Sequence, residues 1–170
     1  GRIADILAQK HPDVMETQPE LIARHYSEAD LPDRAVPLWE LAAERALARS
    51  ANFEALEHCD NALRLVEKLR DSKLQSSERL RTQLLLGRAH GNIGRMPSSM
   101  SHLRIAAELA REQADTAAFV AAALAFHDAR FLSNEASRDS IALLEEALSL
   151  IGDTDVRMRC QVSSQLSRAY

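Results

Sequence analysis

Three of the chain's five glycines fall within "LLLGRAHGNIGRM" (84–96): Gly87, Gly91 and Gly94. Glycines this close together, with a basic residue nearby, are the raw material of a phosphate cradle. A Walker loop needs G-x-x-x-x-G-K-[ST] after a strand, and a dinucleotide loop needs G-x-G-x-x-G in the same place. Here the spacing is G-x-x-x-G-x-x-G, no Gly-Lys pair is present, and the preceding "LRTQLLL" reads as helix. Without a strand to aim a helix N-terminus at a phosphate, that chemistry lacks its platform. The glycines read instead as places where helices come close, with Gly87 at a close approach and Gly94 at a turn.

The other chemistry-bearing residues also lack a partner set. "EHCD" (57–60) and "RHYSEAD" (24–30) bring His, Cys and carboxylates together in sequence. Adjacent residues on a helix face different directions, so His58 and Cys59 do not readily share a metal, and no second Cys/His pair stands at zinc spacing. Cys59 falls in an apolar stripe and reads as a small core residue. His102 and the His127–Asp128 pair read as helix-surface or packing residues, and no Ser/His/Asp or Cys/His arrangement is recognisable. No catalytic residue, cofactor or metal is therefore expected. Trp39, the one tryptophan, falls in a large core slot.

Composition says what must position these residues. The 170-residue chain is 46% hydrophobic but only 4% aromatic. Ala and Leu carry the apolar content and β-branched residues are sparse, which favours helices over strands. A net charge of −4 gives no electrostatic footprint for nucleic acid. No apolar run approaches the roughly 18 residues that span a bilayer. Two distant cysteines and an opening "GRIADILAQK" without leader character point to a reduced, cytoplasmic setting. The first residue is not Met and the chain ends on "QLSRAY", which suggests a segment of a longer protein.

Helical periodicity and short punctuation predict about nine helices and no strand. They lie near 2–10, after Pro19, over 34–49 with Pro37 in the first turn, and over 53–69 with Asn52 as N-cap. A polar joint "DSKLQSSE" then leads to a long helix through about 93. Further helices cover 97–113, 115–132 and 138–152, and a last one is capped by Asp153 or Thr154. A 34-residue helix–turn–helix template fits residues 80–113, with Leu86–Gly87, His90, Ile93–Gly94, Ser99, Leu103 and Ala106 in its slots. Residues 16–49 fit through Ala23, Tyr26, Ala35, Trp39 and Ala42. The fit of 121–154 holds through Leu144 and Ala147 but places Asp128 where Gly or Ala belongs. The expected fold is all-α: a tetratricopeptide-like (TPR-like) helical-hairpin solenoid, a right-handed superhelix over 16–170, with 1–15 ending a preceding region.

Such arrays bind partners on the face of their stacked first helices. Candidate groove residues are Arg24, Arg81, Leu84, Arg88 and Asn92, of which the arginines and Asn92 suit a carboxylate or a peptide backbone. A purely solubilising role for them is an equal alternative. The expected partners are a protein or peptide, or neighbouring domains of the same chain. Neither nucleic acid nor membrane is expected. Self-association is a further expectation, through an apolar face around Val156, Cys160, Val162 and Leu166 on the last helix.

The stretch "ETQPELIARHYSEADLPDRAVPLWELAAERALARSANFEAL" (16–56) resembles a recurring segment of large bacterial signalling ATPases. The resemblance rests on Gln18–Pro19–Glu20–Leu21, His25–Tyr26, Glu28–Ala29, Ala35–Val36, Trp39, Ala43, Arg45–Ala46 and Arg49–Ser50–Ala51. In that family the segment follows the ATPase and opens a tetratricopeptide array. The array is joined to a class III adenylate/guanylate cyclase domain or to a helix-turn-helix transcription-activator domain. The 16–56 motif is most similar to the cyclase-linked kind. The resemblance implies a non-catalytic interaction or regulatory segment, since none of the family's catalytic residues lies within the chain. The alternatives are the sensor array of a transcriptional regulator and an independent small-molecule-binding helical domain.

Overall fold

The computed structural model describes residues 17–132, 138–152 and 155–169. These form eight α-helices and, among the described residues, no strand: α1 Pro19–Glu28, α2 Pro32–Ala48, α3 Asn52–Val66, α4 Ser72–Asn92, α5 Met96–Glu112, α6 Thr116–Leu132, α7 Arg138–Leu150 and α8 Val156–Ala169. The protein is an all-α array of helical hairpins. The helix expected over 2–10 lies outside the described residues. The chain forms two compact units that divide at Ala89–His90, inside α4.

In the first unit α2 packs between α1 and α3. Ile22, Ala23, Tyr26, Ala35, Val36, Trp39, Ala62, Leu65, Val66 and Leu69 close into one apolar cluster. In the second unit α6 packs against α5, α7 and α8. There the fully buried Phe119 and Phe126 supply the bulk that Trp39 and Tyr26 supply in the first. The alanines between the large residues keep the helix surfaces thin enough to approach.

Four joints are built alike. At Asp30, Ser50, Gly94 and Ala114 the chain takes φ of 53°, 62°, 78° and 53°. Each of these residues donates its N–H to the carbonyl three back, and the next residue donates to the carbonyl five back, as in Ser50 to Leu47 (3.0 Å) and Ala51 to Ala46 (2.8 Å). This is the Schellman arrangement, which satisfies carbonyls that a helix end leaves unpaired. The second donor then starts the following helix: Leu31, Ala51 and Arg95 are the N-caps of α2, α3 and α5. That is why Asn52 is not the cap of α3. The chain is already committed to the joint at Ala51, so Asn52 becomes the first helical residue.

Other boundaries shift for equally local reasons. Helix α2 begins at Pro32, so Pro37 lies inside it rather than in its first turn. The polar stretch after α3 is mostly helix. Asp71 accepts from the N–H groups of Lys73 (2.9 Å) and Leu74 (3.0 Å) and starts α4 at Ser72. Residues 153 and 154 lie outside the described residues. The side chain that caps α8 is Asp155, which accepts from the N–H of Met158 at 3.0 Å.

Burial also corrects the last repeat frame. Asp128 is exposed, whereas Ala123 has no exposed surface and Phe119, four residues earlier, is likewise fully buried. The small slot of α6 is therefore Ala123, and the connection before α7 is longer than the template allows. The same spacing recurs in α2, with Trp39 and Ala43, followed in α3 by Ala55, Cys59 and Ala62, all buried. Thus α2 forms a hairpin with α3 as well as with α1, a pairing that the 16–49 frame leaves out.

Candidate functional site

The candidate groove residues separate into two places. Arg24, on α1, lines an open groove of about 460 Å³ with Ser27 and Glu28 of the same helix and Glu57, Asn61, Arg64, Leu65 and Lys68 from α3 and its end. Trp39 of α2 forms the floor. It is 5% exposed, and its indole N–H donates to Ser27 Oγ at 3.0 Å. Ser27 Oγ in turn donates to the Ala23 carbonyl at 2.7 Å, so the floor is fixed to α1. Lys68 reaches across to Asp30 (3.0 Å), and Arg64 bonds Asn61 Oδ1 and the Asp60 carbonyl on its own helix. Arg24 is exposed and has no hydrogen bond or ion pair among the described residues.

Arg81, Leu84, Arg88 and Asn92 lie along one stripe of α4, as their spacing of three, four and four dictates. Arg81 is engaged. Its guanidinium lies 2.9 Å from Glu44 Oε1 and 3.4 Å from Glu40 Oε2, both on α2. Leu84 is half-buried, and Arg88 and Asn92 are exposed. Arg88 has no partner among the described residues, whereas Asn92 is held by contacts of its own. The structure therefore groups Arg24 with Arg64 and Lys68 on α1 and α3, and ties Arg81 to α2.

The glycine stretch behaves as a packing element. Gly87 is buried. Gly91 faces α5: a Cβ there would meet Ser99 Oγ at 3.3 Å. Gly94 occupies the left-handed joint. His90 and His102 stack with ring centroids 5.3 Å apart and planes 6° from parallel, stitching α4 to α5.

Cys59 is buried, and its thiol is pushed up to about 12, by burial first and then by Glu40 and Asp60. His58 packs its ring on Trp39 at 5.4 Å. Among the described residues no group of three His, Cys, Asp or Glu is placed to hold a metal ion. No described helix is long and apolar enough to cross a membrane.

The most unusual polar group was not singled out by its sequence context. Glu40 is fully buried at the α2–α4 crossing, 2.7 Å from Thr82 Oγ1. One signal was available. Glu40 stands four residues after Val36, three before Ala43 and seven before Leu47, on the apolar stripe of α2. A comparison with known protein families, with curated proteins and with solved structures finds no match to the chain.

Proposed function

We propose that the chain is a non-catalytic, tetratricopeptide-type interaction segment of a larger bacterial signalling protein, of the kind that joins an ATPase to a nucleotide cyclase. It would hold a partner peptide, or a neighbouring domain of its own polypeptide, in the Trp39-floored groove between α1 and α3. The observation that carries the interaction role is Arg24, an unengaged guanidinium beside a fixed aromatic floor on a preformed helical surface. Arg and Trp in a fixed setting are the residue types that dominate interface energies. The tetratricopeptide assignment is supported by the recurring slots Trp39/Ala43 and Phe119/Ala123 in the first helices and Ala55/Ala62 and Ser140/Ala147 in the second. The cyclase-linked parent is supported by the 16–56 resemblance.

Partner binding would act as a signal only by favouring one of two packings of the array, since a ligand moves an equilibrium by its differential affinity. The deciding experiment titrates the chain with overlapping peptides from the domains that flank it in the full-length gene. A saturable peptide should lose about tenfold in affinity or more with Arg24→Ala, a hot-spot-sized effect. Saturable ATP or GTP binding by the isolated chain, unaffected by that substitution, would replace this reading with the small-molecule one.

A further inference from the structure

The crossing of α2 and α4 in the first unit carries more negative charge than a buried crossing tolerates. Glu40 has no exposed surface. Its Oε1 lies 2.7 Å from Thr82 Oγ1, which is also 2.9 Å from the Glu78 carbonyl oxygen. A threonine hydroxyl has one proton to give. It serves both acceptors only by dividing that proton between them. The two remaining oxygens, Glu40 Oε2 and Glu78 Oε2, are both buried and neither accepts a hydrogen bond; Glu40 Oε2 has the Arg81 guanidinium 3.4 Å away as a charged neighbour. Thr82 Oγ1 brings Glu40 and the Glu78 backbone to one point, and the Glu78 carboxyl is the neighbour that pushes the Glu40 carboxyl up after burial itself. Two ionised carboxylates side by side repel, and one proton between them removes one charge.

We propose that Glu40 and Glu78 hold one proton in common, and that this proton latches α4 onto α2, making the crossing sensitive to pH. The groups that face it are Glu44 from α2, Cys59 from α3, and Glu78 and Arg81 from α4. Arg81 balances the charge that stays, and Cys59 remains a neutral thiol. Burial first, then the contact with Glu78, push the Glu40 carboxyl up to about 9. The folded protein therefore keeps a proton that the unfolded chain has released, from the ordinary carboxylate range up to about pH 9. The latch is fully present below that window. Across it stability falls as pH rises, by up to about tenfold in the folding equilibrium per pH unit.

The test combines infrared spectroscopy of the protonated-carboxyl band with thermal unfolding between pH 5.5 and about 9, the top of the window. The wild-type chain should show the band at pH 7 and lose midpoint temperature as pH rises. Glu40→Gln copies the neutral acid in shape, so it should abolish the band and flatten the pH slope. Glu78→Gln keeps Glu40 buried but removes the neighbouring acid, so it should move the fall of stability to lower pH. It keeps the test decisive if the first variant folds poorly. Absence of the band from the wild type at pH 7, its persistence in Glu40→Gln, or a pH profile unmoved by Glu78→Gln would overturn the proposal. So would a wild-type pH slope unchanged by Glu40→Gln.

Discussion

Arg111 grips Glu146 with two parallel hydrogen bonds, Nε to Oε1 at 2.7 Å and Nη2 to Oε2 at 2.8 Å, and so joins α5 to α7. The same guanidinium lies over the Phe119 ring of α6, 5.3 Å from its centroid. One side chain thus ties three helices of the second unit. A planar fork can do this and an ammonium cannot. Arg111→Lys should therefore behave almost like Arg111→Ala. A double-mutant cycle with Glu146→Gln should return a coupling of about 0.5–1 kcal/mol, because both groups are partly solvated. Equal stability of the Lys variant and the wild type would sink the idea. The Arg111 guanidinium holds the Glu146 carboxyl below its usual range. This contribution is thus present above the ordinary carboxylate range and is lost as pH falls through the lowered value.

Ala114 stands in the left-handed region at φ 53° without the freedom of glycine. Ala114→Gly relieves a backbone strain of about 1 kcal/mol and gives part of it back as unfolded-chain entropy. A net gain of about 0.5 kcal/mol is expected in denaturant unfolding. Ser50→Gly should do the same, and Asp30→Gly should gain less because it discards the Lys68 contact. Destabilisation by Ala114→Gly would refute the strain account.

Gly91 and Ser99 form a size-limited contact. Gly91→Ala gains roughly 1 kcal/mol of helix propensity but presses a methyl against Ser99 Oγ at 3.3 Å, and Ser99 is 1% exposed. The substitution alone should be close to neutral. In a Ser99→Ala background the obstructing oxygen is gone, and Gly91→Ala should become stabilising. Additive effects of the two changes would show that they do not touch.

Phe119 fills the large slot of α6 with no exposed surface. Phe119→Ala should cost about 3–5 kcal/mol, and Phe119→Leu under half of that. Thermal unfolding of the two variants checks the ratio. A cost under 1 kcal/mol for the alanine variant would mean that the slot is not a packing centre.

The order of the eight described helices and most of their core residues were legible in the sequence because the Ala/Leu periodicity is strong. Cys59, Trp39 and Leu103 are buried as their positions on apolar stripes require. Phase errors arose where one residue has two duties. Ala51 ends one helix and caps the next, so Asn52 looked like a cap that the chain did not need. On α6, Asp128 fell into the small slot only because the template assumed a shorter connection.

The terminal face was half legible. Val156 and Cys160 are exposed as expected, but Val162 is fully buried and Leu166 half-buried, so the apolar residues of α8 divide between two sides. The candidate site was less legible still, since partner choice among arginines depends on helices that sequence spacing does not place. Arg81, Arg88 and Arg24 look alike in sequence. Of the three, only Arg81 meets a buried carboxylate, that of Glu40.

The four left-handed joints leave no slack: the residue that closes one helix opens the next. Adding or deleting one residue at Asp30, Ser50, Gly94 or Ala114 would turn the following helix by about 100° and carry its apolar stripe out of the core. The link between Val66 and Ser72 has no lock of this kind. Tags, reporter domains and natural insertions should be accepted there after Arg70, beyond the buried Leu69, and refused at the joints. The array is thus a ruler whose divisions are fixed at the turns, and it can be lengthened only between them.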